Sequence, residues 1–213
     1  YSPMRTGSTL YCRVLDLYHQ HLYGTDNNVF WEDANNCNNI DYSTEHAIYH
    51  LHNINAFIRA PADFIKVITT RNILESVISR FIVDYTNTWH VHTEKEKKRY
   101  IKSLNGQHFT IDPVAFKTRI IGYNELYKIA NKAITRDKNA IVLDYQDHAL
   151  NIKNLCVKFG IDIMTSKQIR SNPFIANSGT RIVDKFTLID NLNELVNIYL
   201  ERSEEHTSEL QSH

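Results

Sequence analysis

The segment Phe64-Ile-Lys-Val-Ile-Thr-Thr70 constrains the fold more than any other stretch of the chain. It is short and rich in β-branched residues, which lose rotamer freedom in a helix and pack well on a pleated sheet. A helical pattern follows at once, from about Ile73 to Tyr85. The same order recurs downstream: Ala140-Ile-Val-Leu-Asp-Tyr145 reads as a buried strand, and a helix then runs to Phe159, closed by Gly160. Strands that alternate with helices are joined by crossovers, so they pair in parallel. The expected class is α/β, a mainly parallel central sheet flanked by helices.

The other elements fit that scheme. Gly7 to Tyr23 reads as a helix, with Leu10, Val14, Leu17 and Tyr18 at helical spacing and Gly24 as its stop. Asn27 to Glu32 is a short strand candidate, and the asparagine-dense stretch 35–39 a loop. Ser43 to Ile58 reads as a helix with Ala47, Leu51, Ile54 and Ile58 on one side, ended by Ala60-Pro61-Ala62. The charged run Glu94 to Arg99 suits an exposed helix. Asp112-Pro113 opens a helix that reaches about Ala133, with Asp as cap and Pro in the first turn. A last helix is expected from Lys185 to Leu200. No repeat or low-complexity linker interrupts the chain.

Bulk properties exclude several classes. The chain has 213 residues, 42% hydrophobic and 23% charged, enough for one domain with a sizeable core. Its net charge of zero argues against nucleic acid as a partner. Cys12, Cys37 and Cys156 are far apart and odd in number, so they read as free thiols, suiting a reducing, cytoplasmic setting. No apolar run reaches membrane-spanning length. The stretch Arg202–His213 resembles the translation of a sequencing adapter, so 1–201 is taken as the domain and 202–213 as an artefactual tail. Without that tail's one Arg and three Glu, 23 basic residues face 21 acidic ones, still near neutrality.

The first chemical signal is Ser2-Pro3-Met4-Arg5-Thr6-Gly7-Ser8-Thr9-Leu10, ahead of the first helix. Bound phosphate wants exposed N–H groups, the positive end of a helix and short hydroxyl side chains. Gly7 permits close backbone approach. Ser8 and Thr9 offer hydroxyls, and Arg5 a forked cation. A Walker A loop needs Gly-x-x-x-x-Gly-Lys-Ser/Thr, and Ser8 stands where that lysine would be.

The second signal is Val67-Ile-Thr-Thr-Arg71-Asn72-Ile-Leu-Glu75-Ser-Val-Ile-Ser79. Arg71 stands where a strand gives way to a helix. Ser79 lies eight residues on, about 12 Å along the helix axis. Together the two segments resemble the sulfotransferases that use 3'-phosphoadenosine 5'-phosphosulfate (PAPS). Their 5'-phosphosulfate loop reads roughly Pro-Lys/Arg-Ser/Thr-Gly-Ser/Thr-Thr. Their 3'-phosphate segment reads Arg-Asn-Pro-x-Asp/Glu-x-x-x-Ser. Arg71, Asn72, Glu75 and Ser79 match it, with Ile73 in place of the proline. Val142-Leu-Asp-Tyr145-Gln-Asp147 and Asn154 to Ile161 echo later parts of the family, so the resemblance spans about Tyr1 to Ile161.

The resemblance implies a three-layer P-loop-type fold and metal-free transfer of a sulfuryl group from PAPS, the cosubstrate, to an acceptor hydroxyl or amine. In that fold a strand feeds the phosphate loop. Only Tyr1 and Ser2 precede Pro3, so the first strand is expected to be truncated. Arg5, Thr6, Gly7, Ser8 and Thr9 would hold the 5'-phosphosulfate, and Arg71 and Ser79 the 3'-phosphate. Arg5 would also act in catalysis. Glu32, after Val29-Phe-Trp31, takes the place of the general base, with Asp33 as its rival. His19 and His21 read as structural, and Trp89-His90-Val-His92 as acceptor-side surface rather than a zinc site. The acceptor class stays open among carbohydrate, lipid, small metabolite and protein tyrosine. Two alternatives remain beside this one: a P-loop nucleotide hydrolase or kinase, and a non-catalytic nucleotide-binding module.

Overall fold

The computed structural model describes residues 8–24, 29–31, 48–88, 93–137, 139–162, 167 and 184–211, with the backbone alone at 8–9, 21–23, 29–31, 148–149 and 203–211. In chain order the elements are α1 (Ser8–Tyr23), β1 (Val29–Trp31), β2 (Ile48–His50), α2 (Ile54–Arg59), β3 (Val67–Thr70), α3 (Ile73–Thr86), α4 (Glu94–Leu104), α5 (Pro113–Ile134), β4 (Ile141–Asp144), a 3-10 turn (Tyr145–Asp147), α6 (His148–Lys158), a second 3-10 turn (Lys185–Leu188) and α7 (Leu192–Gln211). The chain divides into two compact units, Tyr1–Arg71 with Leu126–Thr180 and Asn72–Glu125 with Arg181–His213.

The first unit is mixed α/β, and its strands pair in parallel. β1 lies beside β2, with Val29 opposite Ile48. β3 lies beside β4, with Val67 opposite Ile141 and Thr70 opposite Asp144. Successive strand residues point to opposite faces, and β3 shows it. Val67 packs with Ile141 and Leu143 against Leu10, Tyr11 and Val14 of α1 and Ile152, Leu155 and Cys156 of α6. Ile68 packs instead with Leu51, Ala56 and Phe57 around α2 and with Ala130 of α5. β4 differs from its expected full burial: Leu143 is buried, but Val142 is 51% exposed.

The helix expected over Ser43–Ile58 is not what forms at its described end. Ile48-Tyr49-His50 is strand, and helix starts only at Ile54. Isoleucine and tyrosine favour a sheet when a partner strand is present. The Asn53 side chain then accepts from the Asn55 and Ala56 N–H groups at 2.8 and 3.2 Å, which caps α2 at its first turn. The apolar spacing misled because burial follows the tertiary context: Leu51 and Phe57 are buried while Ile58 is exposed.

The second unit is helical around one apolar cluster. Val77, Ile78, Phe81 and Ile82 of α3 meet Tyr100 and Leu104 of α4, Phe116 and Ile120 of α5, and Leu195 of α7. Side chains cap two of the helix starts, Asp112 as expected. Thr93 and Glu96 form a reciprocal capping box on α4. Asp112 Oδ1 accepts from the Ala115 N–H at 2.7 Å on α5. The last helix is split, however. Lys185–Leu188 is a 3-10 turn, Phe109 bridges Ile189, and the Asn191 side chain bonds both backbone groups of Ile111. Only then does α7 begin, and its backbone continues to Gln211.

Candidate phosphate-binding edge

The parallel register of β3 and β4 decides what stands at their C-terminal ends. Thr70 lies opposite Asp144, so the next residues, Arg71 and Tyr145, emerge side by side. The Arg71 guanidinium lies 4.0 Å from the centre of the Tyr145 ring, within cation–π range. The Arg71 backbone is held as well. Its N–H donates to the Tyr127 hydroxyl on α5 at 3.1 Å, and that hydroxyl faces the Arg71 carbonyl at 3.4 Å. Arg71 is half-buried, with a fixed backbone and a stacked guanidinium. Such a group can meet an anion with little further ordering cost.

Asn72 follows as the N-cap of α3, its side chain accepting from the Glu75 N–H at 3.1 Å. Ile73 is therefore the first helical residue, where a proline would also fit because the N–H has no intrahelical partner. The isoleucine costs the segment no hydrogen bond.

The start of α1 reaches the same strand end. Tyr11, in the first turns of α1, is buried against Leu143, and its hydroxyl lies 3.5 Å from the Asp144 carbonyl. The Asn151 amide of α6 donates to the Tyr11 hydroxyl at 2.9 Å and also to the Asp144 carbonyl. Burial pushes the Tyr11 phenol up to about 12, so it stays a neutral donor at ordinary pH. The backbone of Ser8 and Thr9 opens α1. Arg5, Thr6, Gly7, Glu32 and Asp33 lie outside the described residues, as do Cys37, Trp89, His90 and His92.

Ser79 belongs to the other unit, since the division falls between Arg71 and Asn72 and passes through the motif. It is fully buried, and Lys185 Nζ donates to its Oγ at 2.6 Å. The serine hydroxyl is thus bonded inside its own unit and has no exposed surface. Neighbouring Ser76 is also fully buried, and its Oγ has no partner among the described residues.

Lys185, Tyr127 and Tyr145 were not among the candidates from sequence. Tyr145 carried a signal, since it ends a β-branched strand run. Lys185 and Tyr127 carried none, because their partners lie 106 and 56 residues away. His19 is buried in α1. Burial also pushes the Cys12 thiol up to about 12, which favours its protonated form. No helix among the described residues is long and apolar enough to cross a membrane. No family model matches the chain, and no match was found among curated proteins or solved structures.

Proposed function

We propose that the chain is a PAPS-dependent sulfotransferase with a three-layer P-loop-type fold. One observation carries the reading: α1, whose first turn holds Ser8 and Thr9 of the motif, and Arg71, which follows β3, meet at the C-terminal ends of β3 and β4. In parallel α/β sheets this is the edge where ligands bind. A donor with a 5'-phosphosulfate and a 3'-phosphate needs two anion sites, and the loop and Arg71 supply them.

Transfer on this reading is a single in-line displacement that needs no metal. The acceptor oxygen or nitrogen bonds to sulfur as the bond from sulfur to the phosphate oxygen breaks. Adenosine 3',5'-bisphosphate leaves with the electron pair. Glu32 takes the acceptor proton. Arg5 and the N–H groups at the start of α1 stabilise charge that builds on the transferred and leaving oxygens. The sulfuryl group carries less charge than a phosphoryl group, so these groups suffice.

The test is transfer of a labelled sulfuryl group from PAPS to a panel of carbohydrate, lipid, small-metabolite and tyrosyl-peptide acceptors. Glu32→Gln should lower turnover about 10²–10⁴-fold while donor affinity holds. An unchanged rate at saturating substrate removes Glu32 as the base and turns attention to Asp33. Donor binding without transfer to any acceptor makes the chain a binding module. Magnesium-dependent ATP cleavage without PAPS binding makes it a P-loop hydrolase or kinase.

A further inference from the structure

A cleft opens at the end of α4, wholly within the helical unit. α4 stops at Leu104, and Gly106, at a φ of +74°, turns the chain in a conformation that favours glycine. The chain then runs back along the second 3-10 turn. There the Phe109 N–H donates to the Leu188 carbonyl at 2.8 Å, and the Asp190 N–H to the Phe109 carbonyl at 3.1 Å. Between these walls lies a space of about 500 Å³, lined by Lys98, Ile101, Lys102 and Leu104 of α4, the turn at 105–108 and the end of the 3-10 turn at Leu188. That volume suits a small molecule. Leu104 and Leu188 are buried and supply apolar wall, and Ile101 adds apolar surface that is 40% exposed. The charge around the cleft has one sign. Both acids of α4 are engaged, Glu94 with Lys97 at 3.6 Å and Glu96 in the capping box with Thr93. Lys98 and Lys102 are exposed, and no ion pair takes up either of them among the described residues. Standing four apart, they share one helix face, where like charges repel and weaken the helix. No carboxylate lines the cleft, and Asp190 next to it is bonded by His108 Nδ1 and by the Thr110 hydroxyl, each at 3.3 Å.

We propose that this cleft binds a small amphipathic anion, with a carboxylate or sulfate head at Lys98 and Lys102 and an apolar body against Ile101, Leu104 and Leu188. A bare anion would gain little from two exposed lysines in water. An uncharged apolar molecule would leave the two ammonium groups repelling each other. A ligand with both parts offsets the repulsion and takes the apolar surface out of water. The cleft lies in one unit, and its use does not rest on the donor reading above.

The test is titration of the full chain with octyl sulfate and with octanoate, both as monomers, followed by NMR. Both should bind. Octanol, octyltrimethylammonium and inorganic sulfate should each bind at least about tenfold more weakly, since each lacks one part of the ligand. The double variant Lys98→Gln/Lys102→Gln should weaken octyl sulfate about tenfold, the worth of one charge-assisted contact. Ile101→Ser should weaken it about fivefold through lost apolar contact. These three side chains are exposed, so the variants should unfold at the temperature of the unaltered chain. Lys95→Gln/Arg99→Gln removes two cations of α4 that do not line the cleft and should leave binding nearly unchanged. Equal weakening by the two double variants would mean general attraction to a basic helix and would overturn the site. Octanol binding as tightly as octyl sulfate, or no binding of either anion, would overturn it too. Binding to phosphatidylglycerol vesicles without binding of the monomeric anions would make α4 a membrane-facing helix and leave the cleft without a ligand.

Discussion

The two units of this chain use their buried polar groups differently. In the unit built on α3, α4, the first part of α5 and α7, the interior is mainly aliphatic and aromatic, Ser76 and Ser79 are its buried polar residues among those described, and its Arg–Asp pairs are partly exposed. Arg119 bonds Asp84 at 2.8 Å, Arg80 bonds the same carboxylate at 3.0 Å, and the Arg119 guanidinium lies 4.2 Å over the Phe81 ring. In the unit built on β3 and β4 the strands are only four residues long. Their C-terminal ends are held by Tyr11, Asn151, Tyr127 and Tyr145. Packing sustains the first arrangement, and hydrogen bonds specify the second. Core substitutions in the helical unit should thus be read out in stability, and edge substitutions in the strand unit in binding.

The largest effect tests the stability half. Phe116 is fully buried between Phe81, 6.5 Å away, and the rest of the helical cluster. Phe116→Ala removes a ring that cannot be replaced locally and should cost about 3–5 kcal/mol in denaturant unfolding. A cost well under that range would mean the cluster is loosely packed, and the contrast between the units would fail.

The next effect separates them by pH. The Tyr11 phenol is raised from 10.0 to about 12, chiefly by burial. Its neutral form is the one the fold prefers, so between those values the unfolded chain binds fewer protons than the folded one. The Tyr11 contribution is complete below pH 10 and is lost as pH rises to 12, in total about 3 kcal/mol. Cys12 acts in the same sense from its ordinary 9.0 upward. Tyr11→Phe should flatten the alkaline loss of stability by that amount. An alkaline profile identical in both proteins would show that Tyr11 is not held neutral by the fold.

Arg71→Ala tests the binding half. Loss of a charge-assisted contact should weaken a 3'-phosphorylated nucleotide by roughly 1.5–3 kcal/mol, about 10- to 150-fold. The analogue without the 3'-phosphate should be little affected, and the unfolding temperature should stay close to that of the unaltered chain. Equal losses for both nucleotides would detach Arg71 from the 3'-phosphate. A large fall in stability instead would mean that the edge, too, is mainly structural.

These contrasts also mark how far the sequence was legible. β3, α3 and α5 were readable because their signals are local: a β-branched run, the helical pattern directly after it, and the Asp112-Pro113 pair that opens α5. β2 was not, since Ile48-Tyr49-His50 becomes strand only through β1, nineteen residues upstream. The split before α7 was hidden for the same reason, as the Asn191 side chain is taken up by Ile111, 80 residues away. Arg71 could be singled out by its place between strand and helix. Tyr127, which fixes its backbone, and Lys185, which meets Ser79, could not, because only the folded chain brings them there.

The smallest effect sharpens the comparison within the helical unit. α4 is strongly polar, and its buried side chains are Tyr100 and Leu104, both in its second half. Its first turn therefore depends on local bonds. Thr93 Oγ1 accepts from the Glu96 N–H at 3.2 Å, and the Glu96 carboxylate accepts from the Thr93 N–H at 2.9 Å. Thr93→Ala removes one of these bonds and should cost about 1 kcal/mol, while Thr93→Ser should restore most of it. Amide exchange should quicken in the first turn of α4 and stay slow at Phe81, Phe116 and Leu195. That outcome would confine the cap to its own turn and leave the packed cluster as what holds the unit. If exchange quickened at those core positions too, the unit would depend on a surface cap as much as on packing, and its contrast with the strand unit would not stand.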